Sequence, residues 1–378
     1  MNKFIHCAKE VADGNLELAD FLFCEMEDLM VAETSEVTKK VVKYFAEGLV
    51  RRVHGVYPRN PMPLIPLGAK LYKTYDNENS PFYIFASITT QHGILEALPI
   101  GSSKPFHFID FFIMAGPWYW NRWMVRYAGL IGPATLLRLT SIRPKLSEND
   151  EYLQESQRKF AEFARCLGVD FDHRELVAEN VTDITESVLK IRRSSEGEFI
   201  VVRWAFELHK LLALEGAIEK VLSKLRDLKP DIMIVIEQEA NHNCSDFFTR
   251  LTSSFEYYYS VFESLERFTE QPCTRMLLEK QLKWQINNVV ATKGIDRIER
   301  HETLTCWKER LRQAGFQSVQ LWSSKLKDCS LTDFPEFRIG QNNGFPTLCL
   351  PNRPVAVVSV WKPDNRTQLI NNIGTDHS

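Results

Sequence analysis

The residues of this chain with the clearest chemical potential lie in one run, 237–243, which reads EQEANHN and follows the apolar segment 232–236. The carboxylates of Glu237 and Glu239 and the imidazole of His242 are ligand types that divalent metal ions accept. Their spacing matches no strong metal signature, and the same groups commonly serve as hydrogen-bond partners where a buried strand ends. The sequence favours this second, structural interpretation.

Asp110 is a second candidate, because it lies in an aromatic run, 104–116, that reads KPFHFIDFFIMAG. The turn residues at 101–103 and the short apolar length favour a buried strand over 106–111. The carboxyl ends of parallel strands face the ligand crevice of open α/β sheets. A nucleotide or S-adenosylmethionine site would need a glycine-rich loop there, whereas residues 111–115 read FFIMA. We therefore expect no cofactor at this loop, and we expect Asp110 to be a structural acceptor.

The segment 208–212 fits the L-x-x-L-L pattern through Leu208, Leu211 and Leu212. A short helix of this type can dock into the hydrophobic groove of a partner protein. Buried helices produce the same pattern, and docking requires exposed leucines. The sequence favours core packing and leaves docking as the alternative.

A charged segment lies near residue 300, and alternating signs favour an internal ion-pair network over a DNA-facing patch. The residues concerned are Arg297, Arg300, His301, Glu302 and Arg310.

Bulk composition restricts the class of protein. The 378 residues carry a net charge of −3, which argues against a strongly basic nucleic-acid surface. None of the eight cysteines forms a C-x-x-C pair, so a zinc site is not expected. No run of the sequence reaches the apolar length of a membrane span, and we expect neither a metal nor a membrane partner.

The predicted secondary structure that positions these residues changes in type along the chain. Residues 1–98 predict successive helices, and residues 99–363 alternate strands with helices, which is typical of a parallel sheet with right-handed crossovers. The strands are predicted at 106–111, 135–140, 169–173, 199–204, 231–237, 319–322, 345–350 and 355–361. The fold class is therefore α/β, a Rossmann-like (methyltransferase-like) mostly parallel sheet with an antiparallel C-terminal hairpin and an N-terminal helical cap. The polar tail 364–378 is predicted to be disordered.

Two apolar stripes mark the N-terminal helices, one over 16–30 and one over 37–53. Ser35 is placed to cap the second of these helices, and Ser245 is placed to cap a long helix over 245–267. Wide apolar stripes bury against the rest of the domain or against another chain. We expect residues 15–55 to supply a protein-binding surface, where a homodimer or heterodimer forms.

The order of the motifs resembles the GRAS domain family of plant transcriptional regulators. Residues 106–110 are similar to that family's VHIID motif, 139–144 to the start of its PFYRE region, and 237–243 and 297–310 to two further segments. The VHIID-like residues are Phe106, His107, Phe108, Ile109 and Asp110. The residues similar to the terminal SAW motif are Ser359, Val360 and Trp361.

Within that family the chain looks most like the DELLA subgroup, through residues 44–49 and 206–212. The N-terminal DELLA and TVHYNP segments of the subgroup do not occur in this sequence, so we expect no direct recognition by the gibberellin receptor. The resemblance implies a nuclear regulator of transcription that acts through other transcription factors or GRAS proteins, with direct contact to DNA in some cases. The alternatives are a sequence-specific DNA-binding factor that acts alone and, less favoured, a small-molecule methyltransferase-like enzyme.

Overall fold

The computed structural model describes residues 2–56, 80–98, 104–111, 136–144, 151–178, 197–267, 272–320 and 334–364, with short pieces at 124–125, 128–129, 183, 188, 191 and 331. A nine-stranded sheet lies at the centre of these residues. Part of the predicted helical region 1–98 (residues 57–79), the loop 112–115 and the predicted disordered tail beyond residue 364 lie outside the described residues.

Helices precede the sheet along the chain and also connect its strands. The α-helices are α1 (Asn2–Asp13), α2 (Leu16–Ala32), α3 (Glu36–Val53), α4 (Pro81–Ala97), α5 (Glu151–Cys166), α6 (Ala217–Leu228), α7 (Phe247–Glu266), α8 (Pro272–Ala291) and α9 (Leu304–Gln313). Two 3₁₀ helices cover Leu208–Ala213 and Gly294–Asp296. The strands are β1 (Phe106–Phe111), β2 (Leu137–Pro144), β3 (Phe171–Ala178), β4 (Phe199–Ala205), β5 (Ile232–Gln238), β6 (Phe316–Val319), β7 (Arg338–Asn342), β8 (Phe345–Leu350) and β9 (Arg353–Pro363).

The sheet has the order β3-β2-β1-β4-β5-β9-β8-β7, and β6 pairs with β9 beside this path. The first five strands are parallel to one another, and β9, β8, β7 and β6 add antiparallel pairings. This arrangement confirms the predicted α/β fold class, including the hairpin that joins β8 to β9. The antiparallel part is larger than predicted, because β7 was not expected from its polar sequence, RIGQN.

Three predicted strands have a bound that differs by three residues or more from the structure. The second and third begin later than predicted and run further, to Pro144 and Ala178, and β6 ends at Val319, where the predicted strand began. In β3 half-buried and exposed residues alternate. A strand at the edge of a sheet can carry polar residues on its exposed face, which is why β3 continues past the predicted end at residue 173 through Arg174 and Glu175.

Side chains that alternate along each strand supply two hydrophobic clusters, one on each face of the sheet. Phe106 and Phe108 of β1 belong to the larger cluster, which includes buried residues of α1, α3, α4, α7 and α8. Ile109 and Phe111 belong to the second, which includes residues of α6, α9 and the first 3₁₀ helix. Helices therefore cover both faces, as the crossovers require.

The N-terminal helices pack against helices from the far half of the chain. Phe45 of α3 lies 5.0 Å, between ring centroids, from Phe255 of α7, and Phe4 of α1 lies 4.9 Å from the same ring. Gly48 lets α3 approach α8 closely, because a Cβ added there would lie 3.0 Å from Val290. The second predicted stripe, over 37–53, is therefore largely core, since its central residue Val41 is fully buried.

Two helix caps were predicted and one is confirmed. Ser35 Oγ accepts a hydrogen bond from the backbone N–H of Thr38 (3.2 Å) at the start of α3. The prediction of Ser245 for α7 is wrong by one residue, because the carboxylate of Asp246 accepts the bond from the N–H of Thr249 (2.7 Å). Of the described helices, none is both long enough and apolar enough to cross a membrane.

Candidate functional site, a buried ionic cluster at the carboxyl end of the sheet

A set of buried charged residues gathers where β4 and β5 end. The first 3₁₀ helix, which follows β4, brings His209 to Glu237 at the end of β5. The segment between the second 3₁₀ helix and α9 adds Glu299 and His301. We call His209, Glu237, His242, Glu299 and His301 the ionic cluster. All five side chains are buried.

Glu237 anchors the start of the 3₁₀ helix. Its Oε1 accepts from the backbone N–H groups of Leu208 (2.8 Å) and His209 (3.3 Å), and its Oε2 lies 2.7 Å from Nδ1 of His209. The first N–H groups of a helix have no partner within the helix, so a carboxylate there satisfies them. The single carboxylate of Glu237 therefore fixes both the backbone and the ring of His209.

Glu299 connects two imidazoles. Its Oε2 lies 3.2 Å from Nε2 of His209 and 3.0 Å from Nε2 of His301. On the other side of the His301 ring, its Nδ1 lies 3.0 Å from Nδ1 of His242. The backbone N–H of Glu299 donates to the side chain of Asn288 (2.9 Å), which fixes the segment that carries the carboxylate.

The electrostatics of the cluster assign different charges to its histidines. Burial alone would lower the pKa of His209, but Glu237 and Glu299 together raise it to about 10. Burial would raise the pKa of Glu299, yet its histidine partners hold it well below the usual value. Burial and the charge of His209 lower the pKa of His301, and burial with His301 lowers that of His242. At neutral pH His209 is therefore a cation, whereas His242 and His301 are neutral.

The ligand types of His209, Glu299 and His301 would also suit a metal ion, and their ligand atoms lie within 4.8 Å of one another. The imidazole rings of His209 and His301, however, contact each other in a tilted arrangement, with centroids 4.2 Å apart and planes at 38°. Both Nε2 atoms approach the same oxygen of Glu299. A hydrogen bond from the cationic His209 and a close contact of His301 with the same carboxylate account for this geometry, and we assign the cluster a structural role.

The metal-like trio of the sequence is divided among different partners. Glu237 faces His209, His242 faces His301, and a carboxylate oxygen of Glu239 accepts from the N–H of Leu304 (2.8 Å) at the start of α9. This arrangement agrees with the structural interpretation, in which the run 237–243 holds hydrogen-bond partners at a strand end.

Asp110, in the VHIID-like segment, forms a bidentate ion pair with Arg203 of β4. The two distances from guanidinium nitrogen to carboxylate oxygen are 2.8 and 2.6 Å, and both side chains are almost completely buried. The pair lies between neighbouring strands, because Asp110 and Arg203 are in register. Burial raises the pKa of Asp110, and the charge and hydrogen bonds of Arg203 oppose that rise.

The other residues of the VHIID-like segment are also internal. Phe106, Phe108 and Ile109 pack in the hydrophobic clusters. His107 is buried, with one ring nitrogen 2.8 Å from Oγ1 of Thr140 and the other 3.2 Å from the carboxylate of Glu198.

The leucines of the L-x-x-L-L pattern lie at the same end of the sheet. Leu208 and Leu211 are fully buried in the second hydrophobic cluster, and Leu212 packs against it as a partly buried neighbour. Core packing thus accounts for all three leucines in this conformation, which is a 3₁₀ helix and not the α-helix that groove docking uses.

The SAW-like residues of β9 are buried as well. The indole N–H of Trp361 donates to Oγ of Ser359 (2.9 Å), and Val360 packs in the larger cluster on the opposite face of the sheet. These residues hold the antiparallel strand against β5, to which all three are paired in register.

The charged set 297–310 separates into two groups. Arg310 forms a bidentate pair with Glu302 (2.6 and 2.8 Å), and His301 belongs to the ionic cluster. Arg297 and Arg300 instead donate to the loop 242–245, through the carbonyl of His242 (2.9 Å) and the side chain of Asn243 (3.1 Å). An ion-pair network therefore describes only part of the set.

A small cavity opens beside the ionic cluster, between the ends of β4 and β5 and helices α4, α7 and α8. Its volume is about 60 Å³, and Glu207, Lys210, Gln238 and Gln285 line it. The side-chain oxygen of Gln238 is buried and has no hydrogen-bond partner among the described residues. A volume of this size holds a few water molecules, whereas small-molecule pockets typically measure about 300–1,000 Å³.

We expect the free energy of unfolding to be largest near pH 6.5–7 and to decrease both as the pH rises and as it falls from that range. The folded pKa of His209, about 10, lies above the ordinary 6.5, so its contribution is complete below pH 6.5 and is lost as the pH rises towards 10. His107, His242 and His301 have lowered pKa values and resist protonation, so the fold weakens as the pH falls below 6.5.

Melting temperatures measured between pH 5 and pH 8.5 test this expectation. The variant His6→Gln is a matched control, because His6 is exposed and should leave the profile unchanged. A melting temperature that is constant from pH 7 to pH 8.5 would contradict the assignment of a buried cation at His209.

Comparison with known proteins identifies the family. Residues 1–362 match the model of the GRAS domain family. The chain belongs to this family. Similar proteins include DELLA protein GAIP from Cucurbita maxima, 40% identical over 95% of this chain and 62% of that protein. DELLA protein GAI from Arabidopsis thaliana is 35% identical over 96% of this chain and 68% of that protein.

The GRAS fold is also found by structural comparison. The crystal structure of SCL7 from Oryza sativa superimposes with a TM-score of 0.77 and 23% sequence identity, covering 96% of this chain and 99% of that chain. The chain spans about 62% of the length of the GAIP relative. Membership of the GRAS family thus confirms the resemblance that the motifs predicted, including the similarity to DELLA proteins.

Three residues of these buried ion pairs are not predicted by the local sequence patterns. No motif singles out Arg203 or Glu299, and His209 occupies a variable position of the L-x-x-L-L pattern. Arg203 could have been found, because an arginine inside the otherwise apolar strand FIVVRWA requires a buried counter-charge. His209 and Glu299 carry no comparable local pattern, since their partners are distant in the chain.

Proposed function

We propose that this GRAS chain is a regulator of transcription that acts in the nucleus by binding other transcription factors or GRAS proteins. Family membership supports the regulatory class, and the exposed apolar surface of α2 supports a protein partner. In this proposal residues 1–98 contribute the partner surface, and residues 99–363 form the scaffold that holds it. Direct contact with DNA is a secondary element, and no catalytic step is assigned.

The observation that carries this proposal is the division of α2 into two sides. Ala19 and Leu22 are buried. On the outward side Phe21 is 59% exposed and Leu18 is 41% exposed, and Leu16 at the helix start is similarly exposed. Single exposed apolar residues are ordinary, but several on one helix indicate a surface that another chain covers. Among the described side chains, the residues 16–22 of the apolar stripe are thus only partly buried.

Replacing Phe21 by glutamate is expected to abolish partner binding or self-association while the fold is retained. An exposed carboxylate costs little in the free chain, but at an interface it would be buried without a partner. The measurement is co-precipitation with candidate transcription factors, together with light scattering for self-association and circular dichroism for the fold.

Leu22→Glu provides the matched comparison on the same helix. Leu22 is buried, so the charge should destabilise the fold by several kcal/mol, a large part of the stability of a domain. If Phe21→Glu leaves both mass and partner binding unchanged, the α2 surface is not the interface. If Phe21→Glu unfolds the chain as Leu22→Glu does, its exposed position is contradicted.

The methyltransferase-like alternative has less support. The carboxyl ends of β1 and β4 carry the Asp110–Arg203 pair, and the ends of β4 and β5 carry the ionic cluster. The charges that could contact a cofactor are thus neutralised by one another. The neighbouring cavity of about 60 Å³ is much smaller than a cofactor.

A further inference from the structure

Three arginines, Arg250, Arg297 and Arg300, converge on one loop, 242–245. We call them, with the adjacent Arg52, the arginine cluster. The acceptors of the three are neutral oxygens of the loop: the carbonyl of His242 for Arg297 (2.9 Å), the side-chain oxygen of Asn243 for Arg300 (3.1 Å) and the carbonyl of Cys244 for Arg250 (2.6 Å). The loop thus concentrates positive charge without contributing a negative one.

The three arginines form no ion pair with any carboxylate of the described residues. Other partly or fully buried arginines of the chain do, as in Arg203 with Asp110 and Arg310 with Glu302. Asp246, the acid that acts on Arg250, is exposed, and its carboxylate already accepts the capping bond of α7. Because buried charges are normally paired, Arg250, Arg297 and Arg300 together lack a counter-charge of at least two units among the described residues.

The excess of positive charge affects the individual arginine side chains. Burial and the neighbouring arginines lower the pKa of Arg297 to about 9 and that of Arg250 to about 10. Arg250 is only 5% exposed, and its Nε atom has no hydrogen-bond partner among the described residues. The guanidinium of Arg52 stacks 3.8 Å above the ring of Phe247, the first residue of α7. The positive end of that helix faces the same loop.

We propose that the arginine cluster binds a phosphate monoester dianion, either free in solution or carried on a phosphorylated side chain of a partner protein. A planar guanidinium presents paired N–H donors that match the oxygens of a phosphate group. The two charges of a monoester compensate the excess of the cluster more fully than one phosphodiester charge does. A DNA backbone would require a longer basic strip, whereas the cluster is compact and the chain carries a net charge of −3.

This site uses none of the α2 residues on which the proposed partner surface depends. Arg300 is its most suitable position for substitution, because it is partly exposed while Arg250 and Arg297 are buried. Glu302 does not reach the cluster directly. Its carboxylate accepts from the Asn243 amide (2.7 Å), so Asn243 turns its oxygen towards the arginines.

The test titrates the purified chain with inorganic phosphate and with a phosphoserine peptide, at an ionic strength held constant with chloride, by calorimetry and by melting temperature. We expect saturable one-to-one binding and a rise in melting temperature. Arg300→Gln should weaken binding by about tenfold or more, because it removes hydrogen bonds from a charged donor. Arg300→Lys keeps the charge and should lose less. Arg312→Gln should have no effect, because Arg312 is exposed and pairs with Glu309 (3.0 Å).

The outcomes separate the sources of phosphate. Binding of both probes indicates a site for any monoester, and binding of the peptide alone indicates a phosphorylated partner. The proposal is overturned if phosphate raises the melting temperature no more than chloride does. It is also overturned if only duplex DNA binds, or if Arg312→Gln weakens phosphate binding as much as Arg300→Gln. Should Arg300→Gln fail to fold, Arg300→Lys decides the test, and wild-type affinity in that variant would count against the proposal.

Discussion

Replacing Glu237 by glutamine is expected to destabilise the fold by about 3–5 kcal/mol, the usual cost of breaking a buried ion pair on one side. Every described neighbour of this carboxylate is a donor: the N–H groups of Leu208 and His209 at one oxygen and the His209 ring at the other. A glutamine amide must therefore point its own N–H₂ group at a donor. It also leaves the cationic ring of His209 with one carboxylate instead of two.

The control for this variant lies two residues along the same chain segment. Glu239 accepts a single backbone bond, from Leu304 (2.8 Å), which the amide oxygen of a glutamine can also accept. Burial raises the pKa of Glu239, so its charge is already disfavoured. Glu239→Gln should change stability by less than about 1 kcal/mol. Urea denaturation of both variants measures the difference, and equal losses would show that the donors around Glu237 do not control stability.

Comparison of β1 and β8 with β7 indicates which parts of the fold the sequence determines locally. The predicted bounds of β1 and β8, 106–111 and 345–350, agree with the structure. In both strands almost every residue is buried, so an apolar run bounded by turn residues identifies them. β7 carries the polar sequence RIGQN and forms only because its backbone pairs antiparallel with β8. Its pairing therefore depends on tertiary structure that a local pattern does not contain.

In the site, too, the local sequence predicts where a buried polar residue lies but not which distant residue it pairs with. The position of Asp110 near the end of a buried strand follows from the sequence alone, and so does its need for a partner. The identity of that partner, Arg203, depends on the register of β1 against β4, strands separated by two other strands in the chain. His209, Glu237 and Glu299 come from three separate segments. Only the fold brings them together, so the sequence pattern, which pointed to Glu237, Glu239 and His242 as strand-end hydrogen-bond partners, does not contain the pairing of Glu237 with His209 or of His209 with Glu299.

The buried pair Asp110–Arg203 leads to the last expectation, that removing either charge is costly but removing both is not. Asp110→Leu takes the bidentate carboxylate away from a fully buried guanidinium, and Arg203→Met leaves the carboxylate without its cation. Each single variant should lose about 3–5 kcal/mol. In the double variant Asp110→Leu, Arg203→Met no charge remains to be compensated, and apolar side chains suit a site beside Phe108. Its stability should return to within about 1–2 kcal/mol of the wild type.

A double-mutant cycle by urea denaturation measures this coupling directly. The matched control is the exposed pair Lys3–Glu25 (2.9 Å), for which the coupling should be below about 1 kcal/mol because solvent screens it. A double variant no more stable than the single ones would mean that Asp110 and Arg203 each hold further parts of the sheet in place. Recovery in the double variant would instead show that this polar pair at the carboxyl end of β1 acts through charge compensation between two strands, and that the fold itself does not depend on it.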